Sequence, residues 1–562
     1  MSMDGKKIYF KFLKEYVFCQ RKIFAAVCII LILQSVALLV IPFTYQQLLD
    51  KAFPEKNQRL FIIMVLVMLG CYFFNSTSNV LKDYLLAKIA ENLTRTLRIH
   101  INNKISVLQY HYFDEHSLSE IISKYNKELE TIKDNCGYML IKVISNILSF
   151  ISASIIIAVI DWKILIVSLL LLSLYFFNGK YWGKKVEALS EKAMQCNEES
   201  INSLTENYRN VLITKLYSAY KFVNQKFKEK CDAQYKTQVN LEVVYSVNIN
   251  SGSAIIYILS ALIWLIEGIA VFLGRQTIGT ITALINYQSM LISPLAFFAE
   301  FNNSYKGTVV AIKRIMTILC YKEEEAKGTE LQEQIERIRY ADVDFSYRKS
   351  DETVIEGVML SFEKGTLNGI IGGSGCGKSS LIKMLPRLYP VTQGKIFINN
   401  TDLNKISLHN LRRKIAIVSQ ESCFYSGTIW ENLNFGDSID ETELIKYSKM
   451  LGLYEEIMKM PDKWNTVLNE GTSNLSGGQK KRLDILRALI MNPDIIIFDE
   501  STASIDLERR RMLFDIISQI KNEKIIIMVT HNIEECEWCD NIFAVKNKKV
   551  FKVNPNDIVQ AF

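Results

Sequence analysis

The chain contains 562 residues, of which 49% are hydrophobic and 22% are charged, and its formal net charge is +7. This length indicates more than one domain. The apolar fraction excludes an intrinsically disordered chain, and so small a net charge gives no reason to expect a nucleic-acid partner. The 11 cysteines are scattered from Cys19 to Cys539, which is typical of reduced cytosolic thiols rather than of a disulfide framework.

The N-terminal half contains six apolar segments that we interpret as membrane spans. The connections alternate between short and long, and the long ones, near 82–134 and 180–240, are rich in Lys and Arg, as is the N-terminus. The positive-inside rule therefore places these basic segments in the cytosol. Their helical periodicity predicts membrane helices that continue beyond the bilayer. The predicted spans are 23–43, 60–74, 143–160, 164–177, 254–273 and 278–298.

The composition of the chain changes after Leu319. From about Gln332 onward, short β-branched strands alternate with helices, which predicts an α/β domain. We therefore divide the chain into an all-α transmembrane domain (1–322), a charged linker (323–334) and an α/β domain (335–562).

A P-loop pattern, GGSGCGKS, begins at Gly372 and lies between an apolar strand and a helical stretch. The backbone amides of such a loop surround phosphates at a helix N-terminus. In this pattern Lys378 reaches the β- and γ-phosphates of ATP, and Ser379 binds Mg²⁺. A glycine-rich turn without a ligand is the weaker alternative, because strand and helix flank the loop. We therefore interpret 335–562 as a nucleotide-binding domain of the P-loop NTPase type. The predicted nucleotide-binding residues of the loop are Gly372, Gly373, Ser374, Gly375, Cys376, Gly377, Lys378, Ser379 and Ser380.

Two further motifs point to ATP chemistry. An apolar strand ends in Asp499 and Glu500; Asp499 can hold Mg²⁺ through water, and Glu500 can activate the attacking water as a general base. Without the upstream P-loop, this acidic pair would indicate only a turn. The sequence LSGGQ at 475–479 opens a helix and forms a second anion-binding nest. A monomer with one ATP has no evident use for both phosphate-binding elements.

Together these motifs resemble the ATP-binding cassette (ABC) transporters, whose signature is LSGGQ. The resemblance covers nearly the whole chain and is closest to exporter half-transporters, which fuse six spans to one C-terminal cassette. It implies ATP-driven export by a dimer through alternating access, with ATP and Mg²⁺ as cofactors. Both half-sites are complete on this chain, so we predict a homodimer, with a heterodimer as the alternative. Residues 111–132 and 206–214 resemble the regions that couple the cassette to the membrane domain.

The resemblance assigns roles to more residues. Tyr347 matches the aromatic residue that stacks on adenine, and Gln420 matches the glutamine that contacts Mg²⁺ and the attacking water. His531 matches the histidine that contacts the γ-phosphate, and Asp506 matches the aspartate of the D-loop. The predicted metal ligands are thus Ser379, Gln420 and Asp499. The signature residues expected to bind the nucleotide of the partner subunit are Ser476, Gly477, Gly478 and Gln479.

Three positions depart from the family pattern. Gly373 stands where exporters often have proline, and Cys376 where they often have serine. Both contribute mainly backbone amides, so we expect nucleotide binding to survive. Asp484 stands where alanine is usual, and the sequence offers no explanation for it.

The sequence does not specify the cargo, and a peptide, a lipid or a lipophilic drug are all compatible with it. Glu267 lies inside the fifth predicted span, where an acid is by default a functional candidate. Asn75 and Asn79 share a helix face in the second span and line either a wet cavity or a neighbouring helix.

An ATP-gated channel or a regulatory membrane ATPase on the same fold is the alternative function. The intact Glu500 and LSGGQ favour hydrolysis coupled to transport. The Lys-, Ile- and Asn-rich composition is typical of an AT-rich bacterial genome. We therefore expect a multi-pass protein of a bacterial cell (inner) membrane, in contact with lipid and with a transported molecule, whose nucleotide-binding domain is cytosolic.

Overall fold

The computed structural model divides into two compact units, one of long helices and one built around β-sheets. This confirms the predicted fold class. Met1–Ser106 and Leu118–Tyr321 form the first unit, and Val107–Ser117 and Lys322–Phe562 form the second. The limits predicted from the sequence, at 322 and 334, stay predictions. The structure describes residues 5–116, 118–347, 352–436, 438–468, 475–502 and 507–554.

The three longest helices of the first unit are far longer than a bilayer requires. α3 (Gln58–Ile105) and α7 (Trp162–Arg209) have 48 residues each and α9 (Tyr220–Phe272) has 53, whereas about 20 residues cross the hydrocarbon core. More than half of each helix therefore extends beyond the apolar segment, as the sequence predicts. The α-helices up to residue 319 are α1 (Gly5–Phe12), α2 (Arg21–Gln47), α3 (Gln58–Ile105), α4 (His111–Glu115), α5 (Leu118–Ile132), α6 (Leu140–Ile160), α7 (Trp162–Arg209), α8 (Val211–Leu216), α9 (Tyr220–Phe272) and α10 (Ile278–Leu319), of which α4 belongs to the second unit.

Five helical stretches in the described part of the chain are long and apolar enough to cross a membrane. The sixth predicted span, 278–298, falls within α10. It is not among these five, so the sixth span stays a prediction. The five stretches are Lys7–Ala52, Gln58–Ile105, Tyr125–Ile160, Trp162–Arg209 and Tyr220–Phe272.

Polar residues in the short connections fix where these helices begin. The side chain of Asn57 accepts a hydrogen bond from the Leu60 amide at the start of α3, and Asp161 does the same for α7. Such caps satisfy amides that the helix itself leaves unpaired.

Asn79 of α3 makes a contact between helices. Asn79 Oδ1 accepts a hydrogen bond of 3.2 Å from Nε2 of Gln34, a buried residue of α2, and another of 2.6 Å from Lys82 Nζ on its own helix. For Asn79 the structure therefore favours packing between helices over a cavity-lining role. Among the described residues, no hydrogen bond of the Asn75 side chain reaches another helix.

We expect Asn79→Leu to destabilise the protein, because it leaves the Gln34 amide buried without an acceptor. Hydrogen bonds between membrane helices contribute about 0.6 kcal/mol, with a maximum near 1.7. The melting temperature of the detergent-purified protein should fall measurably, and Asn75→Leu, four residues away on the same face, is the matched control. Equal melting temperatures for the two variants would contradict this assignment for Asn79.

The described strands of the second unit are β1 (Arg337–Ser346), β2 (Thr353–Glu363), β3 (Leu367–Ile371), β4 (Gln393–Ile398), β5 (Thr401–Asp402), β6 (Ile415–Val418), β7 (Gly427–Thr428), β8 (Val467–Leu468), β9 (Ile495–Asp499), β10 (Ile525–Val529), β11 (Asn541–Lys546) and β12 (Lys549–Val553). The unit contains a six-stranded sheet in the order β12-β11-β3-β10-β9-β6 and an antiparallel four-stranded sheet in the order β2-β1-β4-β5. In the larger sheet all pairs are parallel except β11 with β12.

Helices cover the central strands β3, β9 and β10, in which every residue is buried. Continuous apolar runs are what a parallel sheet covered on both faces requires. The α-helices of the second unit after residue 322 are α11 (Lys378–Lys383), α12 (Leu408–Arg413), α13 (Ile429–Asn434), α14 (Glu441–Met450), α15 (Tyr454–Met458), α16 (Gly477–Ile490), α17 (Leu507–Ile520) and α18 (Ile533–Cys536).

The order of the parallel strands brings the predicted motifs together. The strands β3, β10, β9 and β6 are consecutive neighbours, so their carboxyl ends lie at one edge of the sheet. In sheets of this kind, ligands bind at that edge. The residues that leave these ends are Gly372 after β3, His531 after β10, Glu500 after β9 and Gln420 after β6.

Candidate functional site

The P-loop connects β3 to α11, and its glycines have the backbone freedom that the tight turn needs. Gly372 and Gly377 have φ angles of 151° and 105°. A Cβ atom on Gly372 would lie 2.5 Å from the carbonyl oxygen of Val545. Gly373 has open space around its Cα, so this position does not demand glycine. The Cys376 side chain is partly buried and packs against the apolar core.

The ammonium group of Lys378 is held inside the P-loop. Its Nζ donates hydrogen bonds of 3.0 and 2.9 Å to the carbonyl oxygens of Gly372 and Gly373, and the side chain is 4% exposed. A cation fixed at this place can attract phosphate oxygens into the loop.

Three predicted site residues converge on the carboxylate of Glu500. His531 Nε2 lies 2.6 Å from Oε1, Gln420 Nε2 donates a 3.1 Å hydrogen bond to Oε2, and Lys378 Nζ lies 3.9 Å from Oε1. Glu500 has a φ of 47°, which is strained for a residue with a side chain. Such strain is found preferentially at functional sites.

Ser379 and Asp499 form an oxygen pair beside this carboxylate. Ser379 Oγ donates a 3.3 Å hydrogen bond to Asp499 Oδ1, and burial raises the pKa of the Asp499 carboxyl. A hydroxyl and a carboxylate suit Mg²⁺, which takes few protein ligands and relies on phosphate oxygens and water for the rest. The described residues contain no cluster of three or more His, Cys, Asp or Glu side chains that could hold a metal ion.

Tyr347 follows β1 and reaches the start of α11. Its hydroxyl lies 2.8 Å from Ser380 Oγ, one residue beyond the predicted Mg²⁺ ligand. Its ring packs edge-on against Phe345 and Tyr389, with ring centroids 4.8 and 5.3 Å apart. An aromatic ring is thus positioned next to the P-loop helix.

The signature motif forms the N-terminus of α16. Ser476 Oγ accepts from the Gln479 amide at 3.2 Å, and Gln479 Oε1 accepts from the Ser476 amide at 2.8 Å, which is a capping box. Gly477 and Gly478 lie in the first turn of the helix. In the described part of the chain, no hydrogen bond of Ser476 or Gln479 reaches the P-loop. The predicted residue Asp506 lies outside the described residues.

The structure also reveals two site residues that sequence reasoning missed. Lys481 and Arg482, just after the signature, are each only 2% exposed. Lys481 Nζ donates to the carbonyl oxygens of Ser419 and Gln420, and Arg482 forms an ion pair of 2.9 Å with Glu456. Basic residues at a helix start suggest a solvated surface, and the sequence contains no signal that these two point inward.

Comparison with known proteins covers both units. Residues 24–295 match the family described as the ABC transporter transmembrane region, and residues 355–503 match the family described as ABC transporter. The ATP-dependent lipid A-core flippase of Albidiferax ferrireducens is 24% identical over 520 residues, which are 91% of this chain and 89% of that protein. A Bacillus subtilis protein, YgaD, provisionally named as a multidrug export ATP-binding/permease protein, is 24% identical over 574 residues, covering 99% and 97% of the two chains.

The fold has a close counterpart among solved structures. A bacterial Atm1-family ABC exporter with ATP bound superposes with a TM-score of 0.82 over 96% of both chains, at 18% sequence identity. The two chains therefore share their fold. The chain belongs to the ATP-binding cassette (ABC) transporter family, as an exporter half-transporter that couples ATP hydrolysis to transport.

Proposed function

We propose that two copies of this chain form an exporter in which each ATP lies between the P-loop of one copy and the signature of the other. The observation that carries the proposal is the convergence of Lys378, Gln420 and His531 on Glu500. It supports a hydrolytic site rather than a site that only binds nucleotide. Ser476 is exposed, and within the described part of the chain its hydrogen bonds are those of the capping box at the start of α16, which supports a role for the signature towards a second copy.

Within that site we assign roles from the chemistry of each group. The amides of the P-loop and Lys378 hold the phosphates, and Tyr347 contacts the adenine. Ser379, Asp499 and Gln420 would hold Mg²⁺, whose charge would polarise the γ-phosphate. Glu500 removes a proton from the attacking water, and His531 stays beside Glu500 and the γ-phosphate. The remaining assigned nucleotide contacts are Gly372, Gly373, Ser374, Gly375, Cys376, Gly377, Ser380, Ser476, Gly477, Gly478, Gln479 and Asp506.

ATP can drive transport only if it favours one conformation over the other. An ATP bound between two copies contacts both only when they are close, so its binding stabilises the closed pair. Hydrolysis removes the shared γ-phosphate and with it this preference. The conversion of a mainly open population to a mainly closed one requires about 5.5 kcal/mol of differential binding, which two shared nucleotides can supply.

For the cargo we propose an amphipathic lipid or a lipophilic drug. Relatives matching about 90% or more of the chain are named as lipid A-core flippases or, provisionally, as a multidrug exporter. We place the protein in a bacterial inner membrane, with the second unit in the cytosol.

Reconstitution into proteoliposomes tests this function. ATP should drive a headgroup-labelled lipid, or a lipophilic dye, across the bilayer in the wild type, and the Glu500→Gln variant serves as the inactive control. ATP-dependent ion conductance without net cargo movement would instead identify a channel. ATP hydrolysis that no lipid or drug stimulates and that moves neither would favour the regulatory ATPase.

A further inference from the structure

Three charged residues of α16 are spaced three apart, so they follow one face of this helix. They are Lys481, Asp484 and Arg487. Lys481 and Asp484 are each 2% exposed, and the Arg487 side chain is 17% exposed. Charges buried to this degree are costly unless they are paired, so their partners indicate what they hold in place.

The first of them, Lys481, binds the backbone of the segment that follows β6. Its Nζ donates to the carbonyl oxygen of Ser419 and, at 3.1 Å, to that of Gln420. The side chain of this same Gln420 donates to Glu500. Lys481 is therefore attached to the backbone of a residue that contacts the proposed general base.

Arg487 binds the same segment a few residues later. Its Nη1 donates a 3.1 Å hydrogen bond to the carbonyl oxygen of Cys423, and its guanidinium lies 5.2 Å from the ring centroid of Phe424. The segment 419–424 is thus held at both ends by cations from one helix.

Asp484 lies between the two cations in sequence and pairs with the second of them. Its Oδ1 accepts a 2.5 Å hydrogen bond from Arg487 Nη2. A carboxylate at this position lets two cations share one buried helix face. This gives a role to a residue that the sequence left unexplained.

We propose that Lys481, Asp484 and Arg487 form a clamp that fixes segment 419–424 to α16 and thereby positions Gln420 against Glu500. The three are positioning residues, and the inference rests on the proposed function of Glu500. The helix α16 begins at the signature, which we propose binds the nucleotide of the partner copy. The clamp therefore links the signature to Gln420 in the nucleotide site of the same chain. A shift of either one is transmitted to the other through α16.

Lys481→Met tests the clamp, because methionine fills similar space without a donor. We expect the kcat for ATP hydrolysis to fall about tenfold or more, since small misplacements of catalytic groups have effects of this size. The KM for ATP should change less than about twofold, because the P-loop and Tyr347 are untouched. Lys459→Met, at an exposed lysine of the same unit, is the matched control.

A second readout follows the segment itself. The Cys423 thiol is exposed, so its rate of modification by N-ethylmaleimide, measured by peptide mass spectrometry, reports how firmly the segment is held. We expect faster modification in Lys481→Met and in Asp484→Asn than in wild type or Lys459→Met. In the Lys481→Met/Asp484→Asn double variant, the loss of kcat should be smaller than the two single losses combined, because both residues hold the same segment.

Unchanged kcat together with unchanged Cys423 reactivity in Lys481→Met would overturn the clamp. If this variant cannot be purified folded, Asp484→Asn, which keeps the side-chain shape, replaces it with the same expected results. Wild-type hydrolysis that does not depend on Glu500 would refute the proposed function. Glu500-dependent hydrolysis that is insensitive to Lys481 and Asp484 would refute only the clamp.

Discussion

Glu500→Gln is expected to abolish steady-state ATP hydrolysis while leaving ATP binding intact. Glutamine keeps the size of the side chain and can still hydrogen-bond Gln420, but it cannot accept a proton from water. A general base contributes about 10²- to 10⁴-fold to a rate, so kcat should fall at least a hundredfold. Phosphate release measures the rate, and displacement of a fluorescent nucleotide measures the affinity.

The matched control is Glu441→Gln, at an exposed glutamate in the first turn of α14. It should hydrolyse ATP at the wild-type rate. If Glu500→Gln retained near-wild-type turnover, the general-base role would pass to another group, and the convergence on Glu500 would be purely structural.

Lys378→Met is expected to have a different effect, a loss of ATP binding. The buried ammonium of Lys378 is held at the loop by two carbonyl oxygens, and a phosphate can take their place. Hydrogen bonds to charged groups contribute about 1.5–3 kcal/mol, which corresponds to roughly a ten- to hundredfold weaker affinity. The same nucleotide displacement assay checks this.

Lys405→Met, at an exposed lysine outside the P-loop, should bind ATP as the wild type does. ATP affinity in Lys378→Met within twofold of wild type would show that the P-loop amides alone hold the phosphates. The assignment of Lys378 would then be wrong.

The sequence was sufficient to predict the motifs of the site, because each depends on short-range geometry. The glycines before Lys378 and the two carboxylates at the end of β9 are local patterns. Neighbouring parallel strands then place their carboxyl ends at the same edge of the sheet. The structure confirms the predicted helical domain followed by an α/β domain, and it places Gln420 and His531 against Glu500.

Contacts between distant segments were not predictable in the same way. Gln34 and Asn79 are 45 residues apart, and Lys481 and Ser419 are 62 apart. Each contact depends on how two elements pack, which hydrophobic periodicity does not specify. The buried ammonium of Lys481 is the clearest example, since no pattern near it in the sequence indicates that it contacts the segment after β6.

The central claim, that two copies share each ATP, is tested most directly by a cross-link between a P-loop and a signature. Two differently tagged full-length chains are co-expressed, one with Ser374→Cys and the other with Ser476→Cys, and their membranes are treated with a short thiol cross-linker with and without ATP. The account predicts a covalent pair carrying both tags, strengthened by ATP, in which mass spectrometry finds residue 374 joined to residue 476. Active protein that never yields this inter-chain link would contradict it.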